Sequence, residues 1–270
     1  MRISMSGPNK TLSLSVVSGK GGVGKTNIAL NLGFALREAG HSLMLLDADL
    51  GLANLDVLLG ISPEKNLQDL LGETSAESVV VPLEEGFALL PSASGVAELV
   101  ELDEDVRGVL LDKLEALFRQ YDFLLLDLGA GISPTVLAFA AMPQERIVVI
   151  TPEPTSLTDS YALIKVLATQ HQVRTFQIIV NMAESDKEAK IAFERLSQAC
   201  DRFLGLPVKF LGVVHKDGMV PESVRQQVPL LKFAPDSQAA GDIRSIARKL
   251  VDSRTRLLDL IARSPILKTS

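Results

Sequence analysis

Short apolar runs alternate along the chain with longer stretches in which apolar residues recur at helical spacing. That alternation is the pattern of a parallel sheet with helices packed on its faces. Strands are predicted at Ser13–Ser18, Ser42–Asp47, Phe87–Leu90, Phe123–Asp127, Arg146–Thr151, Phe176–Asn181 and Val208–Val214. Runs such as Leu43-Met44-Leu45-Leu46 and Phe123-Leu124-Leu125-Leu126 are apolar without alternation, which fits central strands covered on both faces. Helices are predicted at Lys25–Ala39, Val106–Arg119, Thr135–Ala141, Ser156–Gln170, Lys187–Phe203 and Asp242–Ala262, with Gly40 placed to end the first. No repeat, low-complexity tract or long linker interrupts the pattern. The expectation is one domain over residues 1–270, of doubly wound α/β class, with a mostly parallel sheet and helices on both faces. Residues 242–270 would form its C-terminal amphipathic helix and tail.

Composition narrows the chemistry. With 47% hydrophobic residues, no Trp and only two Tyr, the core must be largely aliphatic. A formal charge of −6 supplies no basic field for nucleic acid, so DNA is not an expected partner. One cysteine, Cys200, excludes an internal disulfide and a thiolate cluster built within one chain. No run of 18 apolar residues and no apolar leader at Met1–Lys10 appear. A reducing, cytoplasmic setting is expected.

After the first strand comes Gly19-Lys20-Gly21-Gly22-Val23-Gly24-Lys25-Thr26, running into the helical Asn27-Ile28-Ala29-Leu30. This is a phosphate-binding loop in its strand–loop–helix context. Glycines let successive amides point inward around a phosphate, and the helix start adds partial positive charge. Lys25 would reach the β- and γ-phosphates, and the Thr26 hydroxyl would ligate Mg²⁺. Lys20 is not needed to hold phosphates within one subunit, and from the residues alone it reads as a solvated loop charge.

Two strands end in carboxylates: Asp47 and Asp49 after the second, Asp127 after Phe123–Leu126. Acids at the carboxyl edge of a parallel sheet lie on its ligand side. Asp127 would hold Mg²⁺. Of Asp47 and Asp49, one can order metal-bound water and the other aim the attacking water; the alternative is an Asp capping a loop. Asn181 closes a later strand, where an amide either pairs with adenine or starts a turn. No Asn-Lys-x-Asp arrangement favouring GTP is present, so ATP is expected.

Lys20–Thr26 resembles the deviant Walker A motif of the ParA/MinD family of P-loop ATPases. The resemblance implies a MinD-like P-loop NTPase fold and a homodimer formed with ATP bound between subunits. It implies that Lys20 reaches the partner's phosphates and that Asp49 activates water. It also implies an adenine contact by Asn181 and, through a Pro-x-Asp element written here as His215-Lys216-Asp217, by Asp217. Leu128 stands where the family carries a small hydroxyl residue, so slow hydrolysis is expected. The segments Asp47–Asp56, Gly129–Ile132 and Glu153–Lys165 resemble the branch of that family that sets flagellar number and placement. That likeness implies a flagellar regulator or switch protein as partner. Stimulation of a signal-recognition-type GTPase through an N-terminal helix is not expected, since only about ten polar residues precede the first strand. Other roles in reach are a nucleotide-gated transcriptional anti-activator or adaptor with little turnover, and a partition or division-site positioning ATPase.

Along Asp242–Arg263 the polar face carries Arg244, Arg248, Lys249, Arg254, Arg256 and Arg263 against Asp242, Asp252 and Asp259. The first half is expected to pack on the sheet. Arg254–Ile266 either packs too or lies on an anionic membrane surface.

Overall fold

The computed structural model describes residues 8–49, 55–72, 74–91 and 112–268. Eight strands form one sheet: β1 (Leu12–Val17), β2 (Leu43–Ala48), β3 (Val81–Glu84), β4 (Phe87–Leu90), β5 (Phe123–Leu128), β6 (Glu145–Ile150), β7 (Gln177–Ala183) and β8 (Lys209–His215). Their spatial order is β3-β4-β2-β5-β1-β6-β7-β8, and every pairing is parallel except β3 with β4. The continuous apolar runs have the expected cause. Met44, Leu46, Leu124 and Leu126 enter the core under one face, while Leu43, Leu45, Phe123 and Leu125 enter the core under the other.

The described helices are α1 (Lys25–Glu38), α2 (Leu55–Leu59), α3 (112–118), α4 (Pro134–Ala141), α5 (Pro154–Gln170), α6 (Asp186–Leu204), α7 (Met219–Arg225), α8 (Leu230–Phe233) and α9 (Gln238–Ile261). α1 and α9 pack together on one face, and α4, α5 and α6 cover the other. Gly40 follows α1 at φ +87°, as a helix-ending glycine should. Of the helix expected at Val106–Arg119, residues 106–111 lie outside the described residues.

Three features depart from the sequence reading. β3 was not expected; it is four residues long, carries Pro82 and pairs antiparallel at the sheet's edge, where a missing N–H is tolerated. α2, α7 and α8 are five, seven and four residues long, too short to show a period. Three helices also begin before their apolar stripe does. α5 opens on Pro154, α6 follows the cap Ser185, and α9 follows the cap Ser237, five residues ahead of Asp242.

β8 forms the other edge, and α9 shields it. Lys249 Nζ donates to the Leu211 carbonyl at 2.7 Å, and Asp242 accepts from the His215 N–H at 2.9 Å, so two edge groups are satisfied by side chains. The approach is close enough that a Cβ on Gly212 would stand 2.5 Å from Ile246 Cγ1.

The membrane alternative for Arg254–Ile266 meets a different arrangement. Arg254 is buried and donates to the Lys10 carbonyl at 2.8 Å and to the Asp122 carboxylate at 2.6 Å. Ile261 and Ile266 are buried as well, and the Lys268 N–H reaches the Met142 carbonyl at 2.8 Å. A guanidinium survives inside only where its donors are met, and here the chain's own backbone meets them. Those three side chains anchor the segment on the domain, while Leu258 and Leu260 between them stay exposed. Among the described residues no helix is long and apolar enough to cross a membrane.

Arg254→Met should therefore lower the free energy of unfolding by about 1–3 kcal/mol, because it leaves partly buried acceptors unmet. Urea unfolding followed by circular dichroism measures this. A change under about 0.5 kcal/mol, the usual range for a surface site, would show that the tail is only loosely held.

Candidate nucleotide site

The chain runs from β1 to β2 on one side and crosses from β5 to β6 on the other, so β1 lies between β5 and β6 where the winding reverses. In open α/β sheets the crevice outside the strand ends at such a point is where ligands bind. The glycine-rich loop occupies it. Gly22 and Gly24 have φ of +75° and +83°, a region that only glycine enters cheaply. Gly24 is also the residue before α1, and no side chain caps that helix. Its first amides are left for an anion.

Two contacts fix the loop from behind. Asn181 Nδ2, at the end of β7, donates to the Val23 carbonyl at 2.8 Å, and a Cβ on Gly24 would lie 2.5 Å from that nitrogen. A Cβ on Gly19 would lie 2.2 Å from the Asp159 carbonyl carbon in α5. The sequence reading had missed both contacts. They join positions more than a hundred residues apart, and only the spatial neighbourhood of β1, β6 and β7 reveals them. Asn181 thus supports the loop, whichever part it also plays toward a base.

Lys25 is buried, with Nζ 2.9 Å from Asp127 Oδ1 and 3.3 Å from the Thr26 hydroxyl. Strand register places Asp127 beside Asp47 on β2. Both acids are buried, and burial raises both above the usual carboxylate range. For Asp47 the result is about 7, with the charge of Asp127 adding to burial and amide hydrogen bonds from Asp49 and Leu55 opposing it. Among the described residues Asp127 Oδ2 is buried without a hydrogen-bond partner, although Lys25 serves the other oxygen. Lys25 pairs with Asp127 and Asp47 lies beside that pair, so among the described residues the cluster is short of positive charge.

That shortage fits a divalent cation. Among the described residues no group of three or more His, Cys, Asp or Glu stands ready to hold a metal. The protein would then supply few ligands, which suits Mg²⁺ held by a hydroxyl, one or two carboxylates, water and phosphate oxygens.

Asp49 lies opposite the loop that follows β5: a Cβ on Gly129 would stand 3.1 Å from Asp49 Oδ1. Gly131, at φ +97°, donates its N–H to the Ser18 carbonyl at 2.9 Å and so ties that loop to the phosphate loop. Of the segment Asp47–Asp56 that carried the family likeness, residues 50–54 lie outside the described residues. Lys20 Nζ is 2.5 Å from Glu153 Oε2 and 3.0 Å from the Thr155 hydroxyl. Neither partner was foreseen as one.

Asp217 has an architectural task here. Its two oxygens accept the N–H groups of Met219 at 2.9 Å and Ala239 at 3.1 Å, which joins the start of α7 to the start of α9. His215 Nδ1 lies 2.8 Å from Asp242. Cys200 is buried, and burial pushes its thiol up to about 11.

The ParA family model, described as NUBPL iron-transfer P-loop NTPase, matches residues 10–251. The antiactivator FleN of Pseudomonas aeruginosa is 39% identical over 89% of this chain and 86% of its own length. The flagellum site-determining protein YlxH of Helicobacter pylori is 35% identical over 89% of this chain and 82% of its own. Among solved structures, the septum site-determining protein MinD of Pyrococcus horikoshii, complexed with Mg-ADP, superposes with a TM-score of 0.71 at 28% identity. The match covers 92% of this chain and 98% of that one. The single cysteine offers no thiol pair for the iron cargo in the family description.

Gly19→Ala tests the loop's seating, since its methyl would force apart the loop and α5. The expected result is at least a tenfold loss of nucleotide affinity by calorimetry, one decade being about 1.4 kcal/mol. Unchanged affinity would show that the contact with α5 does not shape the loop.

Proposed function

Because the chain belongs to the ParA/MinD family of P-loop ATPases, we propose that it is a slow ATP-hydrolysing switch that dimerises around ATP and Mg²⁺. Its task is to control flagellar number or placement through a partner protein. The observation that carries the reading is the Lys25–Asp127 pair with its orphaned carboxylate oxygen, set at the mouth of an uncapped helix.

The residues divide the work. The amides of Gly19, Gly21, Gly22, Val23 and Gly24 cradle the phosphates, and Lys25 exchanges Asp127 for the β- and γ-phosphates. Thr26, Asp47 and Asp127 would hold Mg²⁺. When bound, the metal neutralises charge on the phosphate oxygens. Asp49 orients the attacking water and takes its proton, the role of a general base within hydrogen-bond reach. Lys20, reaching into a second copy, stabilises charge on the transferring phosphoryl group as an arginine finger does. Asn181 and Asp217 border the base. Leu128 is buried at the end of β5 and brings no hydroxyl to the metal, which is consistent with low turnover.

The name of YlxH, a flagellum site-determining protein, supports the flagellar assignment. FleN being an antiactivator also keeps a second reading, an ATP-gated adaptor on a transcription regulator with negligible turnover. Membrane contact through Arg254–Ile266 has less support, because Arg254, Ile261 and Ile266 are buried on the domain, although Leu258 and Leu260 are exposed. The −6 net charge disfavours a DNA-partitioning role.

Lys25→Ala should lower ATP affinity by about a hundredfold or more, the scale of losing a charged contact to the triphosphate; wild-type affinity by calorimetry would remove the cradle from the account. Asp49→Ala should bind ATP normally, release phosphate at least about a hundredfold more slowly, the range assigned to general-base catalysis, and accumulate dimers on a sizing column. Normal turnover would take Asp49 out of its role. Deleting the gene should change the number or position of flagella counted per cell, and unchanged counts would refute the flagellar task.

A further inference from the structure

Two short helices on the α1 face, α2 and α7, end in the same way and touch at their ends. α2 closes on Gly60, at φ +63°, where the Gly60 N–H donates to the Val57 carbonyl at 3.3 Å and the Ile61 N–H to the Asp56 carbonyl at 3.0 Å. α7 closes on Gln227, at φ +54°, where the Gln227 N–H donates to the Val224 carbonyl at 3.1 Å and the Val228 N–H to the Ser223 carbonyl at 3.0 Å. Glycine is the residue that such a left-handed helix end favours. A glutamine carries a Cβ that this backbone would be easier without. Its side chain supplies a contact in return. Gln227 Nε2 donates to the Val57 carbonyl at 2.7 Å, across 170 positions, and a Cβ on Gly60 would stand 3.4 Å from Gln227 Oε1.

That contact bears on the candidate metal site. α2 is five residues long, too short to hold itself. Leu55 fixes its start in the core, while Val57 is 59% exposed. The Leu55 N–H donates to Asp47 Oδ2 at 3.4 Å, a long bond that a small movement of α2 would break. The Asp49 N–H holds the other oxygen at 3.2 Å. On the far side, the turn from α7 to α8 is tied to α1, because buried Asn31 accepts the Leu231 N–H at 3.1 Å. α1 begins with Lys25 and Thr26. Gln227 therefore closes a path that runs from Thr26 along α1 to α8, across to α2, and back to Asp47.

We propose that Gln227 is a positioning residue whose amide clamps α2, so that the Leu55 N–H keeps the Asp47 carboxylate oriented for Mg²⁺ and its nucleotide. The proposal rests on the assignment of Asp47 to Mg²⁺ above. Gln227 acts through the helix, not on the metal. One exposed hydrogen bond shifts an opening equilibrium by about two- to twelvefold. Only the closed form presents Asp47 correctly, so the apparent affinity for the metal falls with the fraction of chains in which α2 is closed. The phosphate cradle does not depend on that fraction.

The test uses the full chain with two variants. Gln227→Gly loses the amide and eases the backbone, so its melting temperature should equal or exceed the wild type's. Gln227→Glu keeps the shape but turns a carboxylate toward the Val57 carbonyl. First, hydrogen exchange in the nucleotide-free protein, read by mass spectrometry, should be about two- to twelvefold faster over residues 55–61 in both variants. Equal exchange overturns the clamp. Second, calorimetry of ADP with and without Mg²⁺ measures how far the metal tightens binding. Both variants should cut that gain by at least about twofold, and by no more than the exchange factor, since both readouts report the opening of α2. ADP affinity without Mg²⁺ should not change. Faster exchange with an undiminished Mg²⁺ gain, or a lower melting temperature for Gln227→Gly with that gain intact, overturns the positioning role. A wild-type chain whose ADP affinity gains nothing from Mg²⁺ refutes the metal assignment and the proposal together.

Discussion

A buried lysine paired with one of two adjacent buried carboxylates organises this molecule. Asp47 and Asp127 occupy adjacent strand ends in register, and Lys25 Nζ lies 2.9 Å from Asp127 Oδ1. Burying like charges side by side costs stability unless a counter-charge arrives. The positive-φ glycine loop, the uncapped α1 and the oxygen of Asp127 without a partner among the described residues all lie around the same point. Each is a local defect by the rules of folding, and together they describe a receptor for a highly charged anion with its cation.

The remainder of the fold holds that arrangement still. β5 and β6 flank β1, so the loop leaves the centre of an eight-stranded sheet rather than its edge. α5 presses on Gly19 and Asn181 supports Val23, which fixes the loop from two directions. α9 and the tail close the opposite face through Arg254, whose donors reach Lys10 and Asp122. At the rim of the site stand Lys20 with Glu153, and Asp49 opposite Gly129.

Likeness and geometry carry different parts of the account. The relatives place the chain in a family and point toward flagella. The geometry assigns tasks to residues, and in two cases it adds one that likeness did not supply. Asn181 braces the loop, and Asp217 joins α7 to α9.

The amino-acid sequence by itself determined the α/β class, seven of the eight strands, the phosphate loop and the acids at the strand ends. These are legible because they are local: continuous apolar runs, helical spacing, and glycines beside Lys25 and Thr26. It did not reveal β3, whose Pro82 and edge position mask a strand, or the short helices α2, α7 and α8, which are too brief to show a period. Nor did it show where Arg254 is anchored. Only the tertiary structure shows that, because the acceptors for Arg254 lie at Lys10 and Asp122, far away in the chain. The same holds for Lys20 and Glu153, or Gly19 and Asp159: pairings between distant segments follow from how strands are ordered in space, and spacing along the chain carries no record of that order.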